Sequence, residues 1–274
     1  MSRNVSAAVE GRSGPIAHLA WPGASGRTPV LFLHPVNTAA ALWGDVARHL
    51  DGERPAVAVD YRGHGRSVAA GPYLPSDYAA DALTVLDAVG LRRVHVVCGS
   101  IGGAVAVELT ARAPDRVASI TAFGAALHIG WPPAQLDEVE QDLRHRGVEA
   151  WFRAHATDIL GPAAVPGAGD ALAELASSGG DGVRDIEVVV AATRATFGAA
   201  DSRPTARTLR RPLPPTRVFV GSHDPTCPVE SAQELANLLD GEVHTIPGIG
   251  HLPMLEDPRG TAEKIRTFLT TVPD

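Results

Sequence analysis

The chain has 274 residues, 45% of them hydrophobic and 20% charged, with a net charge of −7 and two cysteines, Cys98 and Cys227. That size and composition suit one large α/β domain, alone or with an insertion, and the acidic balance argues against nucleic acid and anionic membrane surfaces as partners. Two cysteines imply no disulfide framework, the N-terminal MSRNVSAAVEGRSG lacks a signal-peptide apolar core, and no stretch approaches the ~20 apolar residues that cross a bilayer, so a soluble cytoplasmic protein is expected.

In chain order, buried strands are predicted at 29–34 (PVLFLH), 55–60 (PAVAVD), 94–98, 117–123, 216–220 and 243–246. Each is rich in Val, Ile or Leu without clean alternation, as strands covered on both faces are. Helical patterns fall between them at 39–50, 76–89 (with Ser76 as N-cap), 101–113, 231–239 and 260–269. Strand followed by helix, repeated, predicts a doubly wound, mostly parallel sheet. The rhythm breaks between about 125 and 207. That stretch holds helical pieces near 133–146, 148–158, 171–176 and 186–197, separated by GPAAVPGAGD and SSGGDG. A structureless loop of that length is rare in a compact domain, so a helical cap over 125–207 is expected, inserted into a core formed by 1–124 and 208–274.

The stretch VHVVCGSIGG (94–103) runs a buried strand straight into a helix. A sharp strand-to-helix turn strains its central residue and needs small side chains two before and two after it. Around Ser100 those are Cys98 and Gly102. Around Cys98 they would be Val96 and Ser100, and Val96 is too bulky. Ser100 is therefore the candidate nucleophile. A serine hydroxyl needs a base, and the base an orienting acid. Asp224 follows the strand at 216–220, in Gly221-Ser222-His223-Asp224. His251 follows the strand at 243–246, in the Gly-rich Pro247-Gly248-Ile249-Gly250-His251. Among eleven histidines, His251 alone combines a strand before it, a glycine beside it and a carboxylate loop upstream. Acyl transfer also builds an oxyanion, which aimed backbone N–H groups stabilise. Ile101, opening the helix after Ser100, supplies one. The loop His34-Pro35-Val36-Asn37 supplies the other: Pro35 has no N–H, so Val36 is assigned, with Asn37 in reserve.

With those residues placed, the chain resembles the α/β-hydrolase family from about Pro29 to Leu269. Asp60-Tyr61-Arg62-Gly63-His64-Gly65-Arg66-Ser67 looks like the family's D-x-R-G-x-G-x-S turn, Ala113-Pro114-Asp115-Arg116-Val117 like its P-x-R-V junction, and Gly250-His251 with Glu256-Asp257-Pro258 like its histidine loop. The resemblance implies the α/β-hydrolase fold, with the D-x-R-G turn structural rather than catalytic. Within the family, YRGHGRS and SDYAADALTVLDAVGLRRVHVVCGSIGG look most like β-ketoadipate enol-lactone hydrolases and their esterase and lactonase relatives. Cys98 replaces the usual first glycine of the elbow, and Pro35 the glycine that usually follows the strand-end histidine. Serine at position 100 argues against dehalogenase and epoxide-hydrolase chemistry, which needs a carboxylate nucleophile.

The expected function is cleavage of a small-molecule ester, lactone or thioester through an acyl-enzyme, with no cofactor and no metal. Two alternatives stand beside it: carbon–carbon bond hydrolysis or cofactor-free oxygen chemistry on the same fold, and a ligand receptor that keeps the pocket. His34, Asn37, Trp131, Trp151 and Phe152 are assigned to substrate contact, with Phe197 as a further aromatic candidate. Arg144, Arg146, Arg153 and Arg194 are candidates for meeting a substrate carboxylate. Cys227 has no assigned role, and a homo-oligomer is left open.

Overall fold

The computed structural model describes residues 4–180 and 182–274. One eight-stranded sheet organises the chain. Its strands are β1 (Val5–Gly11), β2 (Gly14–Trp21), β3 (Val30–Leu33), β4 (Ala56–Val59), β5 (Val94–Gly99), β6 (Val117–Phe123), β9 (Thr216–Gly221) and β10 (Glu242–Ile246). A separate hairpin of two two-residue strands, β7 (Ser178–Gly179) and β8 (Gly182–Val183), lies between β6 and β9 in sequence. The order across the large sheet is β1-β2-β4-β3-β5-β6-β9-β10. β1–β2 and β2–β4 pair antiparallel, and every other neighbour pair is parallel.

Every residue of β3, β4, β5 and β6 is buried, which is why these segments are rich in apolar residues and show no clean alternation. Period-2 alternation sorts them between two cores. Leu31, Leu33, Val57, Val59, Val94, Val96 and Cys98 face one, under the helices at Pro75–Ala88, Gly102–Arg112 and Val229–Leu239. Val30, Phe32, Ala56, Ala58, Val97 and Phe123 face the other, against Gly44–His49 and Pro258–Leu269.

Two expectations are corrected, and one element lies outside them. The N-terminal hairpin β1–β2 was not foreseen: β1 is exposed along most of its length and carries Ser, Ala and Glu rather than an apolar run. The helix expected to start at Ser76 starts at Pro75, with the Asp77 carboxylate accepting from the Leu74 N–H at 3.3 Å. Proline fits that first helical position because its missing N–H would be unpaired there anyway. The segment 39–50 is a 3₁₀ turn (Ala40–Trp43) running into a short helix.

Between β6 and β9 the chain forms helices at Pro133–Arg146, Val148–Ala154, Ala156–Ile159, Ala168–Ser177, Ile186–Thr193 and Arg203–Arg207. The D-x-R-G turn is knitted into the core. Arg62 and Asp81, both buried, make a two-pronged ion pair at 2.7 Å, and Asp60 accepts from the Ala40 and Arg66 amides. No helix among the described residues is long and apolar enough to cross a membrane.

Candidate active site

The strand order reverses direction between β3 and β5, which lie side by side while their following elements depart to opposite sides. Such switch points open a crevice at the carboxyl ends of the strands. The loop after β3 and the turn after β5 meet there.

Ser100 sits at the tip of β5 with φ of 54°, in the left-handed region that L-residues seldom occupy. The turn is held by backbone bonds: Ser100 N–H donates to the Phe123 carbonyl, and the Ser100 carbonyl accepts from Gly103 and Ala126. The small flanks are a steric need. A Cβ on Gly102 would lie 3.0 Å from the Leu33 carbonyl oxygen and 3.1 Å from Cys98 Cβ, and one on Gly103 would lie 3.0 Å from Ala125 Cβ. Burial pushes the Cys98 thiol up to about 12, so it stays protonated at neutral pH and is no rival nucleophile.

Three side chains from distant loops converge. Ser100 Oγ lies 3.0 Å from His251 Nε2, and His251 Nδ1 lies 2.9 and 3.0 Å from the two Asp224 oxygens. With the Nδ1 proton donated to the carboxylate, Nε2 is left as acceptor for the serine hydroxyl. Asp224 Oδ1 also accepts from the Thr226 and Cys227 amides at 2.9 and 2.8 Å, which fixes the carboxylate. Gly124, at φ 49°, clears the space: a Cβ there would lie 2.7 Å from the His251 carbonyl and 2.8 Å from Asp224 Oδ2. Cys227 is buried beside this group, and burial with the neighbouring Asp224 raises its thiol pKa well above the ordinary value.

The histidine loop has a second anchor that sequence reasoning did not assign. Glu256, fully buried, accepts from three backbone amides: Gly250 and Gly161 at 2.7 Å and Leu252 at 2.9 Å. Around it the loop is zipped to the helical segment. His251 N–H donates to Ile159 O, Ala163 to Gly248 O and Val165 to Glu256 O. The signal was present as the glutamate five residues after His251, but the amides it binds come from remote sequence.

The loop after β3 is held by two buried histidines. Both have their pKa lowered by burial, His34 to about 3 and His64 well below its ordinary value. As neutral rings they each use one nitrogen as donor and one as acceptor. His34 Nδ1 donates to Pro35 O while Nε2 accepts from Tyr61 N–H. His64 Nδ1 donates to Arg62 O while Nε2 accepts from Asn37 N–H at 3.1 Å. Two corrections follow. His34, expected at the substrate, has no exposed surface and does not line the cavity. The Asn37 amide, held in reserve for the oxyanion, is spent on His64, which leaves Val36 ahead of it in that loop.

Above Ser100 lies a cavity of roughly 580 Å³, counting its open mouth. Trp131, Trp151, Phe152 and Phe197 all line it, with Val139, Leu143, Ile159, Leu172 and Leu252. Its polar lining is Asn37, Thr38, Thr193, Thr226, Ser100 and His251. Trp131 packs edge-on against Phe197. Trp151 stacks on His155. None of the four arginines proposed to meet a carboxylate reaches the cavity. Arg144, Arg146, Arg153 and Arg194 are solvent-facing and paired with Glu140 and Glu187, Asp142, Glu149 and Asp170, and Asp137 and Glu140 respectively. A buried arginine does lie in the helical segment, Arg184, which the sequence reading does not single out.

A family model described as the alpha/beta hydrolase family matches residues 30–264. Over 288 aligned positions the chain is 30% identical to the rhodomycin D methylesterase of Streptomyces peucetius, covering 89% of this chain and 92% of that protein. It is 40% identical over 103 residues to a putative carbamate hydrolase of Caulobacter segnis, a match spanning 36% of this chain and only 38% of the relative's length. The solved enol-lactonase of Burkholderia xenovorans superposes with a TM-score of 0.81 over 96% of this chain and 100% of that one, at 21% identity.

Proposed function

The chain belongs to the alpha/beta hydrolase family, and we propose that it is a serine hydrolase that cleaves an uncharged small-molecule ester, lactone or thioester through an acyl-enzyme. The observation that carries this reading is the 3.0 Å approach of Ser100 Oγ to His251 Nε2, with Asp224 behind the ring. His251 takes the hydroxyl proton as Ser100 Oγ attacks the substrate carbonyl carbon. Asp224 holds the ring and balances the imidazolium that forms. The oxyanion is met by the Ile101 N–H, at the positive end of the helix Gly102–Arg112, and by the Val36 N–H. Collapse breaks the bond to the leaving group, which receives the proton from His251. Water, deprotonated by the same imidazole, then attacks the acyl-Ser100 ester, and the acid is released as His251 returns that proton to Ser100 Oγ.

The cavity wall supports the choice of substrate. Aromatic and aliphatic side chains dominate it, and among the described residues His251 is its one ionisable side chain apart from the serine hydroxyl itself. A substrate carboxylate would be desolvated there without a direct counter-ion, at a cost of several kcal/mol. The helical segment from about 125 to 207, read as a cap, supplies most of that wall and with it the selectivity.

Ser100→Ala tests the chemistry. On any ester the wild type turns over, kcat should fall by on the order of 10⁴- to 10⁶-fold. Undiminished turnover by the variant would refute covalent catalysis at this residue.

A further inference from the structure

Asn37 lies one residue beyond the proposed oxyanion donor and is buried in the cavity wall. Its φ of 58° is one that asparagine tolerates better than most residues. Both ends of its side-chain amide are gripped from the helical segment. Oδ1 accepts from Arg184 Nη1 at 2.9 Å, and Nδ2 donates to Thr193 Oγ1 at 2.8 Å. The Thr193 hydroxyl spends its own proton on Val189 O, so towards Asn37 it can only accept. The amide therefore has one orientation, because a flip would face its NH₂ to a guanidinium and its oxygen to an acceptor lone pair. One Nδ2 proton then has no partner among the described residues.

Arg184 is buried, and its Nε donates to Gly63 O at 2.6 Å. No carboxylate among the described residues lies within ion-pair distance of it. Burial lowers its pKa to about 10, so it remains charged at neutral pH. It does not itself line the cavity. Its charge reaches the substrate through Asn37: a carbonyl that accepts from a cation makes the amide protons stronger donors.

We infer that Asn37 is a specificity-determining residue whose oriented Nδ2–H binds a second acceptor oxygen of an uncharged substrate, close to the scissile carbonyl, and that Arg184 is its positioning residue. The favoured substrate is thus an ester or lactone carrying an ether, hydroxyl or further carbonyl oxygen beside the reacting group, in an otherwise apolar frame. This rests on the serine-hydrolase reading of the same cavity.

Two pairs of isosteric esters test it. On the acyl side, p-nitrophenyl methoxyacetate is compared with p-nitrophenyl butyrate. On the alcohol side, 2-methoxyethyl butyrate is compared with butyl butyrate, which replaces the ether oxygen by CH₂ and otherwise keeps the chain the same. Each kcat/KM is divided by the rate constant for alkaline hydrolysis of the same ester. The wild type should favour the oxygen-bearing member of at least one pair by about 3- to 10-fold, the worth of one hydrogen bond. Asn37→Asp, which lacks the N–H, and Asn37→Gly, which keeps the left-handed backbone, should bring that ratio to about one. Arg184→Met should lower it, mainly through KM of the oxygen-bearing ester, and Arg184→Lys should restore part of it. A ratio measured within one preparation does not depend on the folded fraction. A wild-type ratio of one in both pairs, or a ratio unchanged in both Asn37 variants, overturns the inference while the hydrolase reading stands. Turnover of none of the four esters, with no labelling of Ser100 by a fluorophosphonate, would overturn both.

Discussion

The carboxyl rim of the sheet and the helical segment above it hold their polar side chains by different means. At the rim, carboxylates and imidazoles are pinned by backbone groups: Asp224 by the Thr226 and Cys227 amides, Glu256 by Gly161, Gly250 and Leu252, and His34 and His64 by carbonyls and amides of the neighbouring turns. In the helical segment most charges pair side chain to side chain in solvent, as Arg144 does with Glu140 and Glu187 and Arg153 with Glu149 and Asp170. Exposed pairs of that kind add little to stability, because water screens them and two long side chains must be ordered to make them. Buried charged groups bonded to backbone are costly to disturb, because losing one partner strands the other. The rim is therefore built for placement, and the segment above it for shape. Arg184 is the exception, a side chain of the segment held in the rim's manner by Gly63 O and Asn37.

The sharpest way to break this contrast is Glu256→Gln. The replacement keeps the volume but turns an NH₂ group towards backbone N–H groups that now share one carboxylate. With the base displaced, kcat should drop by about 10- to 100-fold while KM moves less, since misplacement of a reacting group falls on the chemical step. The pH–rate profile of the variant should differ from that of the wild type in its lower limb. Wild-type kcat and an unaltered profile would mean that the loop is held without the glutamate. The corresponding exposed change, Glu149→Gln, serves as the control and should leave both parameters near wild type.

A smaller effect separates the regions by pH. His34 titrates near 3 when folded against 6.5 when unfolded, and His18, His64 and His95 are lowered in the same direction by burial. Below 6.5 the unfolded chain takes up protons that the folded one refuses. Stability contributed by these groups is thus complete above pH 6.5 and is lost as pH falls towards their folded values. For His34 the slope approaches about 1.4 kcal/mol per pH unit between those two values, and the other three act in the same direction. Urea midpoints should decline steadily from pH 7 to pH 5. A flat profile across that range would contradict the neutral state of these buried histidines.

The same contrast explains what could be read from the sequence. The convergence of Ser100, Asp224 and His251 was legible because each follows a run of strand residues, and topology alone carries strand ends to one rim. The helix at 133–146 was legible between its proline and glycine punctuation, while the one expected over 148–158 is broken at His155 into Val148–Ala154 and Ala156–Ile159. Glu256 and Arg184 were not assigned, because their partners are backbone atoms or side chains remote in sequence, and GDGVRD reads locally as a solvated loop. His34 was misjudged for a related reason. Its place at a strand end resembles that of a site residue, and only the pairing of its two nitrogens with Pro35 and Tyr61 shows it to be a brace. Strand β1 escaped because an exposed edge strand carries no apolar signature, and β2 because its apolar residues are interrupted by Gly14, Pro15 and His18.

The decisive measurement is the mass of the protein after reaction with a fluorophosphonate, followed by digestion and mapping of the adduct. One adduct per chain, on the peptide bearing Ser100 and absent from Ser100→Ala and His251→Ala, is the result predicted for a serine activated by its neighbouring imidazole. An adduct on another residue, or no adduct in a preparation that still hydrolyses esters, would contradict it.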